Sequence, residues 1–118
     1  MAIPMQPTQA VDKLAALAQE TRLRIFRLLV EQGPQGLHAG AISEALEIPP
    51  ATLSFHVAHL ARSGLVTSRQ EGRFIFYAAS FAAMDDLIAY LTDNCCQGGQ
   101  CLPKTVARVT TARRRKAA

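Results

Sequence analysis

The chain has 118 residues, 49% of them apolar, with a formal net charge of +4 and a pI near 9.3. That length predicts a single domain of the usual ~100–150 residues. The absence of any apolar run approaching the ~20 residues needed to span a bilayer excludes a transmembrane helix.

Residues 1–9, with Pro4 and Pro7 and little pattern, are expected to form a flexible arm. They hold no basic region followed by an apolar stretch, so no signal peptide is expected and the chain is assigned to the cytoplasm, with no membrane partner. From Ala10, apolar residues at Val11, Leu14, Leu17 and Ala18 recur at helical spacing. A second series follows at Leu23, Phe26, Leu29 and Val30, widened by Ile25 and Leu28, and the two helices are expected to meet around Gln19–Thr21. The run EQGPQG ends the second helix, because Gly33 suits a position just past the last turn and Pro34 cannot continue it.

A short helix fits Ala39–Leu46, with Ile42 and Leu46 pointing inward at i and i+4. EIPP is a break, and Pro50 suits the first turn of the next helix. That helix should run to about Ser63, with Leu53, Val57 and Leu60 on its buried face and Gly64 as its stop. Two short helices joined by a tight turn are a helix-turn-helix, whose second helix enters the major groove of DNA. Two β-rich runs, Leu65–Gln70 and Arg73–Ala78, flank Glu71-Gly72 and predict a hairpin. The fold expected is therefore mainly α with a β-hairpin wing, a winged helix-turn-helix over residues 10–92. Ser80 can cap a last helix carrying the stripe Phe81, Met84, Leu87, Ile88 and Leu91. The stripe is read either as core or as a homodimer element formed by the terminal helices.

Residues 104–118 carry six basic residues and no acid, which leaves residues 1–103 with a net charge of −2. This low-apolar tail is expected to be disordered, as a solvated tail or an aid to DNA binding. The local balance favours DNA: from Ile48 to Gln70 there is no acid, while His56, His59, Arg62 and Arg69 are present. Thr52, Ser54, Phe55 and His56 are the residues expected near base edges, with His56 alternatively facing the core and His59 facing outward. Arg62 is placed on a phosphate. Arg69 and Arg73, joined by Gln70, flank the wing tip and are placed on the backbone or in the minor groove. Each lost phosphate contact is expected to lower the salt slope by about one unit.

LAALAQETRLRIFRLL and LSFHVAHLARSGLVTSRQEGRFIFYAAS resemble the opening helices, recognition helix and wing of the ArsR/SmtB family of bacterial winged-helix repressors. The likeness covers roughly residues 10–92. It implies a homodimer that binds double-stranded operator DNA and releases it when a metal or metalloid binds. The arsenic-sensing branch usually carries cysteines in an LCVC motif at the start of the first helix of the helix-turn-helix. Here the matching positions read LHAG, so His38 and Gly40 stand where thiolates are expected. The zinc-sensing branch uses Asp, His and Glu on the final helix, and none of the chain's three histidines falls there.

All three cysteines instead lie in NCCQGGQCL, at Cys95, Cys96 and Cys101. The odd count disfavours a secreted disulfide framework. Thiolates select soft acceptors over Mg²⁺ or Ca²⁺. Zn²⁺ prefers four ligands in a closed site, whereas trivalent arsenic or antimony is satisfied by three sulfurs, and Gly98-Gly99 would let the chain fold back to converge them. Residues 93–103 are thus read as a segment that binds As(III) or Sb(III) as inducer, with no resident cofactor required. Redox sensing, with Cys101 pairing to Cys95 or Cys96, stays open, as do incidental surface cysteines and a non-sensing architectural DNA binder. No acid–base pair accompanies the thiols, so no enzyme is expected.

Overall fold

The computed structural model describes residues 5–93; Cys95, Cys96, Cys101, the 94–103 part of the inducer segment and the basic tail lie outside the described residues. Helix α1 (Pro7–Leu17) starts three residues before the apolar series does, because Pro7 occupies the first turn, where its missing N–H costs nothing. Gln6 and Gln9 close that end reciprocally, Gln9 Oε1 accepting from the Gln6 amide at 2.8 Å. The arm expected over 1–9 is therefore helical from Pro7. Helix α2 (Glu20–Gln32) follows after a two-residue break, and the Gln19 side chain caps it by accepting from the Arg22 amide at 2.8 Å.

Strand β1 (Leu37–His38) leads into α3 (Ala39–Leu46), and α4 (Pro50–Arg62) completes the helix-turn-helix. Glu47 closes α3 in the left-handed region at φ 55°, and the Ser43 hydroxyl donates to the Ile48 carbonyl across the turn. Strands β2 (Val66–Glu71) and β3 (Phe74–Ala79) form the hairpin, and α5 (Phe81–Leu91) ends the described fold with the Ser80 hydroxyl accepting from the Ala83 amide at 3.2 Å. The wing turn is Gly72-Arg73, one residue beyond the position expected, since Glu71 pairs directly with Phe74. Gly72 takes φ 65° there, as a two-residue hairpin turn requires.

The sheet order is β1-β3-β2, all antiparallel, with Leu37 opposite Tyr77 and His38 opposite Phe76. Strand β1 was not expected, because two residues carry no periodic signal. It depends on Gly36, whose φ is 69° and where a Cβ would sit 2.1 Å from the Tyr77 carbonyl oxygen. Ile25, Leu29, Ile42, Leu53, Val57, Leu60 and Leu65 are fully buried and join α2, α3, α4 and the hairpin in one core. Each contributes about 1.5–3 kcal/mol relative to exposure. The apolar series of α1 and α2 are only partly buried. Val11 and Leu14 of α1 are exposed while Ala10 and Ala16 are buried, and Leu23 of α2 is exposed while Ile25 is buried.

Candidate nucleic-acid interface

Helix α4 divides by its periodicity. Leu53, Val57 and Leu60 are buried at i, i+4 and i+7, and Ala51, Thr52, Ser54, Phe55, Ala58 and Arg62 are exposed. Its first turn holds no acidic residue, and Pro49, with extended backbone, leads into Pro50 in the first turn. Thr52, Ser54 and Phe55 thus present to solvent near the N-terminal end, where a groove-reading helix meets base edges.

His56 points elsewhere. Its ring is half-buried, with Nδ1 3.3 Å from Nη1 of Arg22, a residue of α2. Because a guanidinium only donates, Nδ1 accepts and Nε2 carries the proton of the neutral ring. Burial, then the Arg22 charge and His59, hold the His56 pKa below its ordinary 6.5. Arg22 also donates from Nε to the Ala16 carbonyl at 2.7 Å, tying the end of α1 to the same point. His56 is thus neither fully outward nor in the core: half-buried, it sets helix α4 against α1 and α2. His59 is also half-buried rather than outward, and with Arg62 it lines an open cleft shared with Asp12, Ala15 and Ser63.

On the wing, Arg69, Gln70 and Arg73 are all exposed, with Arg73 at the tip. Arg69 lies 4.8 Å over the Phe76 ring and pairs with Glu71. An aromatic face beneath a guanidinium orients it, while Glu71 must be displaced or shared for Arg69 to bind phosphate. Gln70 donates from Nε2 to the Gly72 carbonyl at 3.3 Å, bracing the tip.

His38, at the place where the family's thiolates are expected, performs a structural role. Its Nδ1 accepts from the Ala41 amide at 3.2 Å and caps α3. Its ring centroid lies 5.2 Å from that of Phe74 and 5.7 Å from that of Phe76. Among the described residues no group of three or more His, Cys, Asp or Glu side chains is placed to hold a metal ion. Arg22 and the capping role of His38 were missed in the sequence, since the Arg22–His56 pair spans 34 positions and His is an uncommon cap.

A helix-turn-helix domain family matches residues 17–69. The transcriptional activator HlyU of Vibrio cholerae is 37% identical over 92 residues, 78% of this chain and 82% of that protein. The HlyU structure has a TM-score of 0.60 at 34% identity, covering 79% of this chain and all of that one. The chain belongs to the ArsR/SmtB family of winged-helix transcriptional regulators. As an ArsR/SmtB member it is a DNA-binding regulator and not an enzyme. A putative arsenical resistance operon repressor of Halobacterium salinarum is 33% identical over 79 residues, 67% of this chain and 60% of that protein. The homodimeric winged helix-turn-helix DNA-binding domain Mb0332 of Mycobacterium bovis, described as a possible ArsR-family regulator, has a TM-score of 0.60 at 27% identity and covers 81% of this chain and 89% of its own. No helix of the described ArsR/SmtB fold is long and apolar enough to cross a membrane.

Proposed function

We propose that the protein is a dimeric repressor that holds its operator in the free state and releases it when As(III) or Sb(III) is captured by Cys95, Cys96 and Cys101. The observation that carries this reading is the fate of His38: it caps α3 and packs on Phe74 and Phe76, at the place where the family's arsenic branch binds its inducer. Thiol chemistry is then left to the one cysteine cluster in the chain, which follows α5 in sequence. The Halobacterium relative's name, an arsenical resistance operon repressor, supports the inducer class. In the binding step, arsenous acid exchanges its three hydroxyls for three sulfurs, the thiol protons leaving with them as water.

DNA is held by Thr52, Ser54 and Phe55 at base edges, with Arg62 and the wing residues Arg69, Gln70 and Arg73 on the backbone. His56 and His59 support that helix from its flank. Two copies associate through α1 and α5, which pack together and leave Val11, Leu14, Ile88 and Leu91 exposed, the other exposed large apolar side chains being Leu23, Phe55, Phe74 and Ile75 among the described residues. A dimer places two recognition helices on half-sites about one DNA turn apart. Inducer capture just past α5 acts on that spacing, and such couplings are commonly about 1–3 kcal/mol, with DNA weakening the inducer by the same factor.

The test is a fluorescence-anisotropy titration of sodium arsenite, under reducing conditions, into the full chain bound to labelled DNA from its own promoter. Release by roughly 5–150-fold weaker binding, lost when any of the three cysteines becomes serine, is the expected result. Release by hydrogen peroxide and not by arsenite would replace the metalloid reading with thiol oxidation. A complex indifferent to both would remove the sensing role altogether.

A further inference from the structure

Phe55 is the one large apolar side chain exposed on the surface of α4. It is 64% exposed, at the middle of the face opposite Leu53, Val57 and Leu60. Its neighbours along that face are Ala51 at i−4, Ala58 at i+3 and Arg62 at i+7, all exposed. A large ring flanked by two methyl-sized side chains makes a ridge that can lie deep in a groove, with a cation at its far end for the phosphates. No acidic residue lies between Ile48 and Gln70 to repel a polyanion from it. The ring is also held in place: it meets His56 edge-to-face, centroids 5.4 Å apart at 71°, and His56 is tied to Arg22. Aromatic pairs prefer this edge-to-face geometry to a face-to-face sandwich. An exposed phenyl group fixed from behind has no hydrogen bond to offer, so it cannot read donor or acceptor patterns. The major groove displays one apolar feature, the C5-methyl group of thymine, which A·T pairs carry and G·C pairs do not.

We propose that Phe55 reads the C5-methyl of a pyrimidine in each operator half-site, making this regulator's specificity depend on a methyl group and not on hydrogen bonds alone. The proposal rests on the assignment of α4 as the recognition helix and adds the chemistry it recognises. Thr52 and Ser54, which bond either kind of base pair, then fix register, and Phe55 decides between thymine and the unmethylated pyrimidines. The same contact accepts 5-methylcytosine, whose methyl group occupies the same place in the groove.

The experiment uses the full chain and a duplex that it selects from a random pool. Thymines in the half-sites are replaced by deoxyuridine, which removes the methyl groups and leaves every hydrogen-bonding group intact. Burying one methyl is worth about 0.8 kcal/mol, so wild-type affinity should fall about four-fold per methyl, and about fifteen-fold when both half-sites are changed. Phe55→Ala should bind thymine and uracil duplexes equally, Phe55→Leu should retain part of the preference, and both should melt like the wild type because the ring is exposed. If wild type binds both duplexes alike, or if uracil weakens Phe55→Ala as much as wild type, the methyl-reading role of Phe55 is overturned. If no duplex is selected at all, the DNA-binding assignment itself fails and takes this role with it.

Discussion

Arg22 donates to His56 Nδ1 at 3.3 Å while its Nε reaches the Ala16 carbonyl at 2.7 Å, so one guanidinium joins α1, α2 and the recognition helix. The orientation of α4 therefore depends on His56 staying neutral, since a protonated Nδ1 would turn a hydrogen bond into a clash of donors.

Stability should follow that titration. The folded His56 pKa lies below the 6.5 of the unfolded chain, so the unfolded state binds the proton first as pH falls. The contribution is fully present above 6.5 and is lost as the pH falls through the lowered folded value. Thermal melts between pH 5 and 8 should show the wild type losing Tm toward acid, with a flatter profile for His56→Gln. Parallel profiles for the two proteins would assign the acid sensitivity to other groups.

Gly36 should tolerate no side chain. A Cβ there would stand 2.1 Å from the Tyr77 carbonyl oxygen at a backbone φ of 69°, and it would push β1 off β3. Strain plus the lost pairing predicts that Gly36→Ala costs about 3 kcal/mol, a drop in Tm of roughly 10 °C or more. Gly72→Ala is the comparison: its φ is 65°, but nothing lies within 4 Å of the added Cβ, so about 1 kcal/mol is expected. Equal melting of the two variants would mean that the contact of Gly36 with β3 is dispensable.

The exposed stripe on the terminal helices should control assembly. Ile88 is 48% and Leu91 56% exposed on α5, and Val11 and Leu14 are exposed on α1, which packs against it. Changing both Ile88 and Leu91 to Asp places four charges into the proposed symmetric contact. The variant should sediment as a folded monomer and bind a full operator at least ten-fold more weakly. A variant that remains dimeric at micromolar concentration would place the contact elsewhere.

Much of this architecture is legible in local pattern. The bounds of α3, the stop of α4 near Gly64, the Ser80 cap and the buried set Leu53, Val57 and Leu60 follow from caps, breakers and helical periodicity, which act over a few residues. The same kind of signal placed Thr52, Ser54, Phe55 and Arg62 on an exposed face. It erred where one residue of register matters: the wing turn moved to Gly72-Arg73 because the Glu71–Phe74 pairing is decided across two strands. It also grouped Val11, Leu14 and Leu23 into apolar series that the described fold leaves exposed, since periodicity locates an apolar face without saying what covers it.

The sequence by itself determined the order of the five described helices and the hairpin, the helix-turn-helix with its wing, and the clustering of every thiol after the Phe81–Leu91 helix, because spacing, caps and residue chemistry are local properties. Only the tertiary structure decided that His56 is engaged by Arg22, that His38 caps α3 against two aromatic rings, and that Gly36 admits β1. Each of these depends on groups far apart in the chain meeting at a few ångströms, and that separation is set by the packing of the whole core and not by any short stretch within it.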